Sequence, residues 1–322
     1  MSGSVSPRRS RADRVLSLPW KWKTPTEWDS LESIGLPSKG DNRLLNFDTQ
    51  EHYYTKIIEE FLNFCADAGH GEELMRRFAW VDALPDIDSL PPPSPRPRRL
   101  KRFIRYLIPR DGSDPLYELD LADSSSSTTL QNVLSALRKL REGIVASKRA
   151  DDFAIQAYLF AIRTCVLAKH PESYHPAILH LLRQMHPRHP MTTLEYREVV
   201  SYLVLDTACR RYQIAEAYAL RHRYHLKDPN VDAVLDALAH DDYVKFFRLK
   251  QKVDGHVSRL LEYADKEVRM HALKCFGQTY LTVDLPYLET CTGSTWDRLV
   301  AEDGVGWELE GTKVIIRRVK AK

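Results

Sequence analysis

The chain has 322 residues, 43% hydrophobic and 28% charged, with a net charge of +3. That composition is ordinary for a globular protein with a sizeable core, large enough for one large or two medium domains. No run approaches the ~20 apolar residues of a membrane span, the N-terminus lacks the apolar segment of a secretory signal, and so small a charge leaves nucleic-acid binding to local clusters.

Residues 1–47 read as a partly disordered arm. Arg8, Arg9, Arg11 and Arg14 alternate there with small polar residues. Trp20, Trp22 and Trp28 follow in polar surroundings. Large rings of this kind dock somewhere, on the protein's own helices or on a partner. A helical segment is expected over 48–82. Its first helix opens at Asp48 and Glu51, with Tyr54, Ile57, Ile58, Phe61, Leu62 and Cys65 on one face, and a second helix spans 72–81. Residues 83–128 read as a linker, first proline- and arginine-rich and then a polar loop at serines 124–127.

From 129 to 263 the sequence predicts a helical stack. Leu130, Val133, Leu134, Leu137 and Leu140 form one stripe. Phe153, Ala154, Ala157, Tyr158, Ala161 and Cys165 form the next. Thr192 and Glu195 make a capping box, and Asp228-Pro229 is a further start signal. Short connections imply antiparallel neighbours, as in an α-solenoid without an obvious sequence repeat. Residues 264–322 contain three helical patterns, then Gly304 and Gly306, and then Trp307-Glu308-Leu309-Glu310. Gly311 permits a tight reversal into a strand beginning at Lys313. Three helices and a small β-hairpin are the parts of a winged helix. The expected fold class is therefore all-α, a helical-repeat stack capped by a C-terminal winged helix.

Motifs for catalysis are missing: there is no glycine-rich phosphate loop, Gly-x-Ser-x-Gly or His-Glu-x-x-His. Neither a cofactor nor a metal is expected. His175, His180, His186 and His189 match no standard ligand spacing and read as surface or capping residues. Cys65, Cys165, Cys209, Cys275 and Cys291 form no Cys-x-x-Cys pair and read as core fillers. Acidic pairs at 151–152 and 241–242 suit helix starts. Basic residues gather at 96–105, at 210–223 and on the last strand. Lys313, Arg317, Arg318 and Lys320 are the nucleic-acid candidates, through phosphates and without base reading. A charged edge strand that deters edge-to-edge association explains them equally well.

The segment ALAHDDYVKFFRL at 237–249, the helix VRMHALKCFGQTY and the following VDLPYLE together resemble PCI-domain proteins. The nearest likeness is to the GANP branch of mRNA-export scaffolds, with the small proteasome-lid and initiation-factor subunit group as the alternative. Tyr243, Phe246, Phe247, Arg248 and Leu249, then Arg269, Ala272 and Leu273, carry the likeness, which spans about residues 153–319. It implies a non-catalytic scaffold or adaptor in the nucleus or cytoplasm, linked to mRNA processing or export. Its partners would be other protein subunits, including another PCI-type protein. Trp20, Trp22, Trp28 and Trp307 are the candidate partner contacts, and no membrane is involved. The alternative function is a winged-helix protein that binds RNA or DNA weakly and non-specifically through phosphates.

Overall fold

Helices begin where short polar side chains can satisfy the free N–H groups of a first turn. The computed structural model describes residues 31–68, 78, 115–253 and 255–318, with 115–127 by backbone alone. Thr192 and Glu195 form the expected reciprocal box at helix α5 (Thr193–Leu205). Asp151 accepts from Ala154 N at 2.9 Å to open α3 (Asp152–Leu167). Asp228 accepts from Asn230 N at 2.9 Å to open α7 (Pro229–Ala239).

The first helix, α1 (Phe47–Ala68), differs from expectation at its start. Asn46, rather than Asp48, accepts from a first-turn amide, that of Thr49 at 3.2 Å. Tyr53, Ile57 and Phe64 are its buried apolar residues, while Leu62 is exposed. Before it, residues expected in the arm form three short turns, Leu31–Ser33, Pro37–Lys39 and Asn42–Leu45. Leu31, Ile34 and Leu44 enter the core. Gln50 Nε2 donates to Leu44 O at 2.8 Å, and Tyr53 Oη donates to Leu31 O at 2.8 Å. Helix α2 (Pro115–Ala146) includes serines 124–127, which the sequence predicts as a loop. Serine costs only a few tenths of a kcal/mol in a helix interior, less than the strong stripe that follows it restores. At Gly143 of α2 a Cβ would lie 2.7 Å from Leu44 Cβ, so glycine is what lets the Asn42–Leu45 turn press onto the helix. The proline-rich part of the linker and the 72–81 helix lie outside the described residues, except for Phe78, which is buried.

Successive helices then pack on one another. α1 lies on α2 and α2 on α3. α3 packs on α4 (Pro171–His180), and α5 on α6 (Ile214–Arg223). α6 packs on α7, and α7 on α8 (Tyr243–Lys250). α4 and α5 each end in one widened turn, Leu181–Met185 and Asp206–Arg210, in which His186 N and Arg211 N donate five residues back. Such turns make room for an extra inward residue. The next helix, α9 (Gly255–Leu261), folds back onto α3 and α5, where a strictly nearest-neighbour stack would keep them apart. Arg259 Nε donates to Leu167 O at 2.8 Å across this return.

The last segment runs α10 (Asp265–Thr279), β1 (Thr282–Asp284), α11 (Leu285–Thr292), α12 (Trp296–Ala301), β2 (Glu308–Glu310) and β3 (Lys313–Ile315). The sheet has three strands rather than the two expected. Its order is β1-β3-β2, antiparallel throughout. Val314 pairs with Val283 on one side and Leu309 on the other, and the two valines face inward. The described residues are thus mostly helical, with one small sheet. Two cores result. The larger extends from Leu31 to Ala264, and the smaller is built on Leu273, Phe276, Leu288, Leu299 and the two valines.

Candidate functional site

Helix α8 joins the two cores. Asp242 caps it by accepting from Lys245 N at 2.9 Å. Phe246 and Phe247 are buried with the larger core, while Tyr243 and Val244 pack on the smaller one. The rings of Phe246 and Phe247 meet edge to face at 5.4 Å. Phe247 lies over Gly293, the left-handed residue that ends α11 (φ 60°), where a Cβ would fall 2.4 Å from its ring. Side by side on the far side, the Phe276 ring stands 6.1 Å from Tyr243, 5.3 Å from Tyr280 and 6.0 Å from Tyr287.

Of the basic residues proposed on the last strand, Arg317 and Arg318 are already engaged. Lys313 is exposed, and its cross-strand neighbours are Asp284 and Glu310. Arg318 donates to Glu308 at 2.5 Å and Glu310 at 2.8 Å. Arg317 donates to Gln278 O at 2.8 Å. Lys320 lies outside the described residues, as do Trp20, Trp22 and Trp28. Trp307 is half-buried against the smaller core and passes over Gly277. Of the second basic cluster, Arg210 pairs with Asp206, Arg211 with Glu216 and Arg221 with Asp232, and Arg223 sits over the Tyr224 ring.

Cations without such partners occur on α8 and just beyond it. Arg248 and Lys252 are exposed, and no carboxylate or carbonyl among the described residues accepts from either. With Asp242, Val244, Lys245 and Leu249 they line an open groove of about 360 Å³. Lys245 is paired with Asp236. Alongside, Tyr287, Leu281 and Tyr280 expose nearly half of their surface, 49%, 48% and 42%. Tyr287 is linked to Cys291, a contact that raises its own pKa, and the charge of Arg248 reaches it and acts in the opposite direction. No sequence stripe announces this surface, because α8, the link from α10 to β1, and α11 each contribute only part of it.

Sequence reasoning also missed two buried polar centres. Asp206, fully buried at the end of α5, accepts from Tyr174 Oη at 2.5 Å and Arg210 Nε at 2.6 Å on one oxygen. Its other oxygen takes Arg210 at 2.9 Å and faces His175 Nδ1 at 3.2 Å. Burial opposes its charge, but the hydrogen bonds of Arg210 and Tyr174 prevail and hold the carboxyl below its ordinary range. With both oxygens occupied, Asp206 is a structural anchor rather than an acid or base for a substrate. An aspartate within the apolar run LVLDTAC, four residues before an arginine, is the signal that could have found it. Arg149 is the other centre. It donates to Glu51 at 2.5 Å and Asp151 at 2.8 Å, with its guanidinium between the Phe47 and Phe153 rings.

The other three histidines of the 175–189 group are used locally. His180 stacks on Tyr158, His186 accepts from Met191 N at 3.1 Å, and His189 pairs with Asp152 at 2.6 Å. Among the described residues no group of three or more potential ligands could hold a metal ion. All five cysteines are free. Cys165, Cys209 and Cys291 are buried, and burial raises the Cys165 thiol to about 11. No family model matches the chain, and no curated protein matches it.

Proposed function

We propose that the chain is a non-catalytic scaffold or adaptor of the PCI type, whose final segment is a winged helix appended to a solenoid-like stack. The observation that carries this reading is the order helix–strand–helix–helix–strand–strand with the sheet order β1-β3-β2. That is how a winged helix is wired, and here it follows directly on helices that pack in sequence. β2 is an edge strand whose three residues are all exposed, including Leu309. An open edge beside an apolar side chain suits strand addition by another subunit. The motif resemblance at 237–249 points to a complex concerned with mRNA processing or export.

Affinity purification with mass spectrometry tests this. Deleting residues 305–322 is expected to abolish recovery of the main partner, and Leu309→Lys, which leaves the hydrogen-bonded sheet in place, to reduce it strongly. Full recovery with a folded Leu309→Lys protein excludes β2 as the contact. A second reading, nucleic-acid binding, is favoured by the unengaged Arg248 and Lys252 next to exposed tyrosines, not by the last strand.

A further inference from the structure

We propose that the surface formed by α8, the end of α10 and the start of α11 binds single-stranded nucleic acid without reading its sequence. Arg248 and Lys252 would contact phosphates, while Tyr287 and Tyr280 would offer faces to bases. The proposal rests on the nucleic-acid reading above and gives it a location away from the wing.

Three observations converge. Charge is the first. Arg248 lies on α8 and Lys252 in the turn just after it, both line one groove, and neither is neutralised within the described residues. Asp242 is the one carboxylate lining their groove, and it is occupied by the Lys245 amide. On the wing, by contrast, Lys313 and Arg318 stand among Asp284, Glu308 and Glu310. Aromatic exposure is the second. Two tyrosines flank the buried Phe276, which fixes their rings while leaving 49% and 42% of each residue open. Rings held in this way lose little entropy on stacking, and every base has a face to offer them. Continuity is the third, because α8 packs directly on α11, the charge of Arg248 reaches Tyr287, and Phe276 joins Tyr287 to Tyr280. A partner helix would instead favour a contiguous apolar stripe, which two free cations interrupt.

Fluorescence anisotropy of the full chain with labelled oligo(dT) and oligo(U), repeated over a salt series, is the test. Arg248→Gln/Lys252→Gln removes two phosphate contacts and is expected to make the log–log salt slope shallower by about 1.4. Tyr287→Leu keeps apolar bulk but not the ring, and is expected to weaken both oligonucleotides roughly fivefold to a hundredfold. Arg183→Gln/Lys227→Gln, the same charge change on exposed residues elsewhere, should leave affinity and slope unchanged. Binding that survives the α8 and Tyr287 variants but falls with Lys313→Gln/Arg317→Gln/Arg318→Gln overturns this site and leaves nucleic-acid binding with the wing. A strong preference for one sequence overturns the non-reading mode. No binding by the unaltered chain overturns both the site and the nucleic-acid reading.

Discussion

The two cores of the protein are unequal in how they are held. The larger is deep and continuous, and it buries ionised groups whose partners are fully supplied, Asp206 with Arg210 and Tyr174, and Arg149 with Glu51 and Asp151. The smaller has two apolar layers, one from α10, α11 and α12 and one from single valines of the three-residue strands β1 and β3, with one buried ion pair, Arg269 with Asp303. A segment of that size buries too little surface to be secure alone. It leans on α8, which lends it Tyr243 and Val244 and wedges Phe247 under Gly293. The sheet-bearing end is therefore an extension of the helical stack rather than a free-standing partner to it, and the seam between them is where stability and binding meet.

Truncating Phe276 should separate the two cores most clearly. It is 1% exposed at the centre of the smaller core, and Phe276→Ala is expected to cost about 3–5 kcal/mol. Urea denaturation should then show the end containing Trp296 and Trp307 melting before the stack. Phe246→Ala, in the seam, should lower both parts together. A single unshifted transition in either variant breaks the comparison.

Buried charge gives the next largest effect, with opposite signs in the two regions. Asp206→Asn leaves Arg210 without its anion and is expected to cost on the order of 3 kcal/mol at neutral pH. Because the folded pKa of Asp206 is depressed, its contribution is complete above the unfolded carboxyl value of about 3.9 and is lost as pH falls through the folded value. Acid unfolding should accordingly be shallower in Asp206→Asn. At the seam, burial pushes Asp265 upward despite its ion pair with Lys250. Its folded form takes up a proton first as pH falls, which offsets acid lability between the folded and unfolded values. Asp265→Asn should therefore steepen the acid transition. Chemical denaturation midpoints from pH 3 to 7 measure both.

Gly293→Ala sharpens the same comparison from the backbone side. The residue has φ 60°, and an added Cβ would collide with Phe247. A cost of about 1–3 kcal/mol is expected, expressed in the sheet-bearing end and visible as a lower first melting transition by calorimetry.

Helix stripes were legible where burial comes from a single packing direction. Leu130, Val133, Leu134, Leu137 and Leu140 are all buried as their spacing implies. In α1 the stripe was displaced: Leu62 is exposed, and Tyr53 and Phe64 turn inward instead. Two competing apolar faces lie within one helix turn there, and the Leu31 carbonyl that receives Tyr53 Oη lies 22 residues away. The strand β1 was not legible, because three residues are too few to show alternation and Thr282–Asp284 is a strand only through pairing with β3. The α8–α11 surface was invisible for a related reason. Arg248 and Lys252 read as ordinary solvated cations in the sequence, but what distinguishes them from Arg318 is that carboxylates of another strand reach Arg318.

The smallest predicted effect belongs to the stack alone. Thr192 Oγ1 accepts from Glu195 N at 3.3 Å, and the Glu195 carboxylate accepts from Thr192 N at 3.0 Å, so two otherwise free donors at the start of α5 are satisfied by each other's side chains. Thr192→Ala removes one of these and is expected to cost about 1 kcal/mol. Glu195 also accepts from Gln156 Nε2 at 2.7 Å, which ties the cap to α3. Glu195→Ala should therefore cost slightly more than Thr192→Ala, and the double variant less than the sum, because the two residues share one box. The cap is remote from α8, so the loss should appear in the melting of the stack, and a first transition of the sheet-bearing end that moved by the same amount would mean that the two cores unfold as one.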